Sequence, residues 1–252
     1  MKLLSLARDL QRRKARERQN LFVAEGIRAV EELLASPLRV VGALATDEAV
    51  AGSRLAKVRD AIQSRSIELA QVSPREFVTA SDTETPQGIL AIGEIPERAL
   101  GTLRLPDRAR VLVLDALQDP GNVGTILRTA AAFDVAATIA MPGTVDLWNA
   151  KVVRGAMGAL FRHHALHAAW TDLDAFLRDN EVVLWGADAG GSRLGDRAAP
   201  ARMAIVVGNE GSGLTTEARP RVAHTVSSPT SPAVESVNVA VAAGILLYHF
   251  RP

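Results

Sequence analysis

Apolar and polar positions alternate along the chain with two different periods, one typical of helices and the other of strands. Within the first 92 residues, apolar positions recur at helical spacing in "VAEGIRAVEELLAS" and "SRLAKVRDAIQSRS". Short apolar runs predict strands at "RVVGALAT" and "QGILAIGEI". The next stretch has two prolines and little periodicity, so we predict a small α/β domain at residues 1–95 and a linker at residues 96–109.

A different pattern follows the linker and predicts a parallel sheet. "RVLVLD" is a continuous apolar run, as expected of a strand that is buried on both faces. Further apolar runs alternate with helical segments as far as "VESVNVAVAAGILLYHF", which has no polar face. Such alternation indicates an open, doubly wound α/β fold, which we place at residues 110–252. Because its last helix needs cover from the core or from a second subunit, we expect a homodimer.

Composition excludes several classes of protein. The 252 residues include no cysteine, so disulfide frameworks, zinc sites built on thiolates and thiol catalysis are excluded. No apolar run reaches the roughly 20 residues that span a bilayer. The N-terminus lacks the apolar segment and the cleavage site of a secretory signal. We expect a globular, cytoplasmic protein.

Basic residues are concentrated at the N-terminus, although the net charge of the chain is only +1. Residues 1–18 hold seven lysine and arginine side chains and two acidic ones. A basic arm of this kind is typical of a nucleic-acid contact, but it could equally be the solvated face of a helix. The candidate contacts are Arg12, Arg13, Lys14, Arg16 and Arg18.

Three glycine-rich turns follow predicted strands of the second domain: "DPGNVG", "GADAGG" and "GNEGSG". Ligands of open parallel sheets bind outside the carboxyl ends of the strands, and glycine lets backbone amides approach them closely. None of the three turns has the G-x-G-x-x-G spacing of dinucleotide enzymes or the Walker pattern, which favours a different adenosyl cofactor. Arg128, one to two turns into the helix after the first turn, could reach back to a phosphodiester.

Three motifs taken together resemble a known family. "LDALQDPGNVGTILRTAAAF", "IVVGNEGSGL" and "VESVNVAVAAGILLY" are similar, in this order and spacing, to the signatures of the SpoU-type (SPOUT) RNA ribose 2′-O-methyltransferases. This resemblance covers roughly residues 110–250, while "NLFVAEGIRAVEELL" is similar to the small RNA-binding domain of the ribosomal-RNA branch. It implies a deep trefoil knot, S-adenosylmethionine bound in the knot, and a homodimer with active sites at the subunit interface. The implied substrate is ribosomal RNA, most directly 23S.

The resemblance also implies roles for individual residues. Arg128 is the leading catalytic candidate, and its polar partners are Asn122, Glu210, Ser236 and Asn238. The groups implied to bind the cofactor belong to Gly186, Gly208, Asn209, Gly211, Ser228 and Val237. Because a guanidinium keeps its proton, we favour phosphate anchoring and electrostatic activation by Arg128 and leave proton abstraction open. Lys151 and Arg154 are candidate RNA contacts, or else one face of a helix.

Other interpretations stay open. The same chemistry on transfer RNA is a second hypothesis, a non-catalytic RNA-binding or ribosome-assembly factor is a third, and a dinucleotide oxidoreductase is a fourth. Arg128 could otherwise be a surface arginine that pairs with Asp134. His163, His164 and His167 have no thiolate partner and lie in a predicted loop and strand, so we predict no metal site and expect solvated or RNA-adjacent side chains.

Overall fold

The chain folds into two compact units. A computed structural model describes residues 2–228 and 237–251, apart from the side chain of Arg54. The first unit comprises the residues up to Glu97 together with Trp148–Arg162, and the second comprises Arg98–Leu147 together with the chain from His163 onwards. Each unit has its own sheet and its own apolar core.

The first unit is built on a four-stranded mixed sheet. Its elements, in chain order, are α1 (Lys2–Asp9), α2 (Arg13–Gln19), β1 (Leu21–Glu25), α3 (Ile27–Leu34), β2 (Val40–Thr46), α4 (Asp47–Ala51), α5 (Ala56–Ser64), β3 (Leu69–Val72), α6 (Pro74–Val78) and β4 (Ile89–Glu94). The strand order is β1-β4-β2-β3, with β4 antiparallel to both of its neighbours. Leu3, Ala7 and Leu10 recur at helical spacing and pack on the sheet, so one face of α1 is buried.

The second unit contains a six-stranded sheet in which every neighbouring pair of strands is parallel. The remaining elements of the chain, all in this unit except α8, are β5 (Ala109–Leu114), α7 (Pro120–Ala132), β6 (Ala137–Ala140), α8 (Ala150–Gly155), β7 (Ala165–His167), α9 (Trp170–Asp179), β8 (Val183–Arg193), β9 (Arg202–Val207), β10 (His224–Ser227) and α10 (Val239–His249). The strand order is β10-β8-β9-β5-β6-β7. All six residues of β5 are buried at the centre, which confirms the predicted parallel α/β fold.

Two segments belong to a different part of the fold from the one that the sequence pattern predicted for them. Helix α8, which lies within the range assigned to the second domain, belongs to the first unit and contacts β1. Leu100, within the predicted linker, is buried in the core of the second unit. A short segment with few apolar residues cannot reveal by itself which of two cores it joins.

The second glycine-rich turn is a strand. "GADAGG" was expected to be a loop after β8, but β8 continues through it to Arg193, and Ser192 pairs with Val226 of β10 after a shift in register. A β-carbon at Gly191 would lie 2.7 Å from the backbone of Thr225 and Val226. The glycine therefore serves close strand packing here. Residues 229–236, between β10 and α10, lie outside the described residues, and the trefoil knot stays a prediction.

His163 is buried, so the expectation of a solvated side chain is wrong for this residue. Its Nε2 lies 2.7 Å from the hydroxyl of Thr138 on β6. Burial is the main cause that lowers the pKa of His163 from 6.5 to about 4, and the charges of Arg98 and His164 lower it further. The side chain is therefore neutral at physiological pH.

The neutral His163 makes stability depend on pH. Between pH 6.5 and pH 4 the unfolded chain protonates this histidine and the folded chain does not, so acid favours unfolding in this window. We expect His163 to account for a loss of about 3 kcal/mol in the free energy of unfolding between pH 7 and pH 4. Denaturant unfolding of the wild type and of His163→Gln across this range measures it, and parallel pH profiles would contradict the assignment.

Candidate active site

A cavity of about 380 Å³ lies in the second unit where β9 and β10 end and α10 begins. A volume of this size suits a small ligand. Its walls are formed by three residues of β8, by the loop after β9, by the end of β10 and by the first turns of α10: Ala187–Ala189, Val207–Gly213, Val226–Ser228, Val237, Val239, Ala242 and Leu246. Most of the lining residues are glycine, alanine, valine or leucine, and Asp188 and Glu210 are its two carboxylates among the described residues.

Five of the six cofactor candidates line this cavity: Gly208, Asn209, Gly211, Ser228 and Val237. The sixth, Gly186, lies just before the wall and not in it. A β-carbon there would come within 2.9 Å of the Leu214 side chain and 3.1 Å of the Val222 side chain, so the glycine allows these side chains to pack closely. The other five residues can contact a ligand in the cavity.

The loop after β9 is held in one shape by its own hydrogen bonds. Asn209 and Gly213 exchange two backbone bonds of 3.0 and 2.9 Å. The Asn209 side chain accepts from the backbone of Gly211 at 3.0 Å and donates to the carbonyl of Ala116 at 3.1 Å. A β-carbon at Gly208 would lie 2.6 Å from the nitrogen of Leu214 and closer still to Gly213. Only glycine fits at position 208.

Asp115 fixes the far end of the same loop, and sequence reasoning gave it no role. Its carboxylate is fully buried and accepts hydrogen bonds from the Thr215 nitrogen at 2.7 Å and hydroxyl at 3.0 Å. Burial raises the pKa of Asp115, and the two bonds from Thr215 oppose this effect. An acid directly after the apolar run Val111–Leu114 was the available signal, because a buried carboxylate needs a partner.

Side chains from all three sequence motifs meet in one hydrogen-bonded chain. Asn122 on α7 donates to the Glu210 carboxylate at 2.7 Å, and Asn238 donates to the Asn122 side-chain oxygen at 2.9 Å. Asn238 also caps α10, because its side chain accepts from the nitrogen of Ala240 at 2.9 Å. Three of the four predicted polar partners are thus in direct contact. The fourth, Ser236, lies outside the described residues.

Arg128 lies on the exposed face of α7. It makes no hydrogen bond or ion pair with any described residue, and the surface pair with Asp134 is not formed. It is also absent from the described wall of the cavity. The next residue on α7, Thr129, lies against Gly244 of α10. The guanidinium of Arg128, exposed and without a described partner, is open to a ligand.

The candidate RNA contacts of the N-terminal arm have different environments. Arg16 is buried, and its guanidinium donates to the carbonyls of Leu10 at 2.8 Å and Gln11 at 2.9 Å, beyond the end of α1. Arg13 pairs with Glu17 at 2.7 Å on the surface, while Arg12 and Arg18 share the carboxylate of Asp9. Lys14 is exposed. Arg16 therefore stabilises the arm itself, and the other four side chains remain accessible.

The two candidate RNA contacts on α8 also differ from each other. Lys151 is exposed, whereas Arg154 is half-buried with Nη1 3.8 Å from the carboxylate of Asp82. Trp148, just before α8, packs on Phe22 with ring centroids 4.5 Å apart and belongs to the core of the first unit. Within the described ranges, no group of three or more histidine, aspartate and glutamate side chains could hold a metal ion. Nor is any described helix long and apolar enough to cross a membrane.

Known proteins share both units of this chain. Residues 109–248 match the SpoU rRNA Methylase family, and residues 5–91 match the MRM3-like substrate binding domain. The chain is 35% identical to the 23S rRNA (guanosine(2553)-2′-O)-methyltransferase RlmP of Bacillus subtilis, over 97% of this chain and 94% of the relative.

Two solved structures show the same fold. One is a Porphyromonas gingivalis protein assigned to the TrmH family of RNA methyltransferases, with a TM-score of 0.82 and 30% identity over 98% of this chain and 96% of that one. The other is an AdoMet-bound rRNA methyltransferase from Sinorhizobium meliloti, with a TM-score of 0.86 and 24% identity over 99% and 94% of the two chains. The similarity to the Sinorhizobium meliloti structure, at 24% identity, shows a shared fold only.

Proposed function

Because the chain belongs to the SpoU rRNA methylase family, we propose that it methylates the 2′-hydroxyl of a ribose in RNA, with S-adenosylmethionine as methyl donor. The substrate is 23S ribosomal RNA, and the enzyme acts in the cytoplasm. The observation that carries this proposal is the hydrogen-bonded chain of Asn122, Glu210 and Asn238, since Glu210 also lines the cavity. Motifs far apart in the sequence thus lie together at a cavity where a methyl donor and the ribose that accepts the methyl group could meet.

The cavity fits S-adenosylmethionine in size and in charge. Apolar walls such as Val207 and Leu246 suit an adenine ring, and the backbone of the loop after β9 offers hydrogen bonds to it. Arg219 lies 3.7 Å from Asp188 and partly offsets its charge, whereas Glu210 places a negative charge in the wall that favours a ligand with a sulfonium and an ammonium group. When bound, this cofactor supplies an electrophilic methyl group.

The residues around the cavity would then orient the RNA. Arg128, free of described partners, would bind a phosphate next to the target ribose and stabilise negative charge on the attacking oxygen. Asn122 and Asn238 hold each other and Glu210 in fixed orientations. Good alignment of nucleophile and methyl group can lower the barrier more than a general base does. The pH dependence of kcat would show whether Arg128 also accepts the proton of the ribose hydroxyl.

Two findings favour ribosomal RNA over transfer RNA as the substrate. The first unit matches a substrate-binding domain of an MRM3-like protein, and the relative from Bacillus subtilis acts on 23S rRNA by name. Incubation with methyl-labelled S-adenosylmethionine should transfer label to ribosomal RNA and leave bulk transfer RNA unlabelled. Label in transfer RNA alone would favour the alternative substrate. No label in either RNA, with intact cofactor binding, would favour a non-catalytic RNA-binding factor.

The exposed side of α10 supports a homodimer. Val241, Ile245 and Tyr248 are 53%, 38% and 59% exposed and recur at intervals of four and three residues, so they form one apolar stripe. Phe133, directly after the neighbouring helix α7, contacts Tyr248 with ring centroids 6.0 Å apart. We propose that two chains associate through this stripe and that the active sites lie beside it.

Charge on this stripe should separate the subunits. We expect the wild type to sediment as a dimer at micromolar concentration and Val241→Glu/Ile245→Glu to sediment as a folded monomer with little methyl transfer. Burying two unpaired carboxylates in an interface costs several kcal/mol. The control is Val78→Glu, which changes a 59% exposed valine in the first unit and should leave the dimer intact. A monomeric wild type, or a dimeric double variant, would contradict the proposed interface.

A further inference from the structure

An open groove in the first unit runs along α1 and is completed by Arg12, just before α2, and by Gln19, the last residue of α2. Its volume is about 570 Å³, and its basic side chains belong to Lys2, Arg8 and Arg12. All three are exposed. We infer that this groove binds the phosphate backbone of the RNA that the enzyme methylates, an inference that rests on the proposed function.

The acids around the groove are already engaged. Asp9 accepts from Gln19 at 3.0 Å and from Arg18 at 2.9 Å, and it also pairs with Arg12. Glu76 is hydrogen bonded to Ser73, which is the main reason that its pKa is lowered, and Arg8 lowers it further. With both carboxylates occupied, the local excess of cations is left for an anionic ligand.

The geometry of Arg8 suits a fixed phosphate contact. Its Nε donates to the hydroxyl of Thr79 at 2.6 Å, at the end of α6, which orients the guanidinium. No described residue takes the terminal nitrogens of Arg8. Part of the entropic cost of fixing a long side chain on a phosphate is therefore already met in the free protein.

The open, polar shape of the groove favours a nucleic-acid backbone over a compact metabolite. Leu6 is its single apolar side chain among the described lining residues, and it is half-buried. The groove also lies largely within residues 5–91, the range that matches a substrate-binding domain. Successive cations along a groove are the usual recognition elements for a phosphodiester chain. An acidic protein of the ribosomal particle is the competing partner.

The groove divides the basic arm into residues that should contribute to RNA affinity and residues that should not. Each of these arginines has one acidic partner, Asp9 for Arg12 and Glu17 for Arg13, but only Arg12 lines the groove. Arg12→Gln and Arg13→Gln remove the same charge from adjacent positions. They form a matched pair for testing whether location or net charge determines RNA affinity.

The test measures RNA affinity by fluorescence anisotropy with a labelled 23S rRNA fragment at several salt concentrations. We expect Lys2→Gln/Arg12→Gln to weaken binding about tenfold and to reduce the slope of log Kd against log salt by about 1 to 2, as expected for the loss of one or two phosphate contacts. Arg8→Gln should act in the same direction. Arg13→Gln should change affinity less than about twofold, and calorimetry should show unchanged S-adenosylmethionine binding in every variant.

Several outcomes would overturn the inference. Unchanged affinity and slope in the double variant would do so, as would equal losses in Arg12→Gln and Arg13→Gln. If methylation of ribosomal particles fell while binding to naked rRNA stayed normal, the groove would contact a protein instead. Failure of the proposed function looks different, because the wild type would then transfer no label to any RNA whatever the groove binds.

Discussion

Arg128→Ala is expected to lower kcat for methyl transfer by about 10²- to 10³-fold and to leave the Kd for S-adenosylmethionine within about twofold of the wild type. The reason is the position of Arg128 on the exposed face of α7, outside the described cavity wall and without a described partner. Its removal leaves the loop that lines the cavity intact but removes the cation that we propose contacts the RNA.

Single-turnover kinetics and calorimetry measure the two quantities separately. Arg128→Lys keeps the charge but loses the planar, two-pronged donor, so its rate should lie between those of the wild type and Arg128→Ala. The control is Arg178→Ala, which removes an exposed arginine on α9 that pairs with Asp179 and should not change the rate. Near-normal turnover of Arg128→Ala would remove this residue from the mechanism. Loss of cofactor affinity in the same variant would place it at the cavity instead.

Gly208→Ala is expected to weaken S-adenosylmethionine binding by about 10- to 100-fold. A β-carbon at this position meets the backbone of Gly213 and Leu214, so a side-chain rotation cannot relieve the contact. The loop must move as a whole, and the bonds between Asn209 and Gly213 must be strained or broken. Because this loop forms one wall of the cavity, the change should reach the bound cofactor.

Gly190→Ala provides a matched control in the same unit. A β-carbon at Gly190 would lie 3.5 Å from Asp188, which is an ordinary contact, and the residue does not line the cavity. Calorimetry should therefore give wild-type affinity for this variant and a clear loss for Gly208→Ala. Thermal unfolding checks that both proteins are folded. Equal affinities in the two variants would show that the shape of the loop does not control binding.

The architecture of the second unit could be predicted because burial leaves a direct record in the sequence. Val111–Leu114 of β5 are apolar without interruption because the strand lies between two others and is buried along its whole length. Asp119 and Pro120 mark the start of α7 as a cap and a first-turn proline should. These signals are local, and each can be recognised without knowing the rest of the fold.

Features that depend on distant contacts could not be predicted in the same way. The composition of "GADAGG" predicts a turn, yet pairing with β10 makes this segment part of a strand. Arg16 looks like another surface cation until the position of the end of α1 shows that it is buried. Asn122 lies 88 residues from Glu210 and 116 from Asn238, so only the resemblance to a family related them before the structure did. The resemblance to the family gave no role to Asp115, so its hydrogen bond with Thr215 was not predicted.

Mapping of ribose methylation in 23S rRNA, with and without the gene in the source organism, tests whether this chain modifies a ribose. We expect the deletion strain to lose one 2′-O-methyl group, wild-type protein to restore it, and Arg128→Ala at equal expression to leave it absent. An unchanged set of 2′-O-methylated riboses in the deletion strain, or a lost methyl group that proves to be on a base, would contradict the proposed activity.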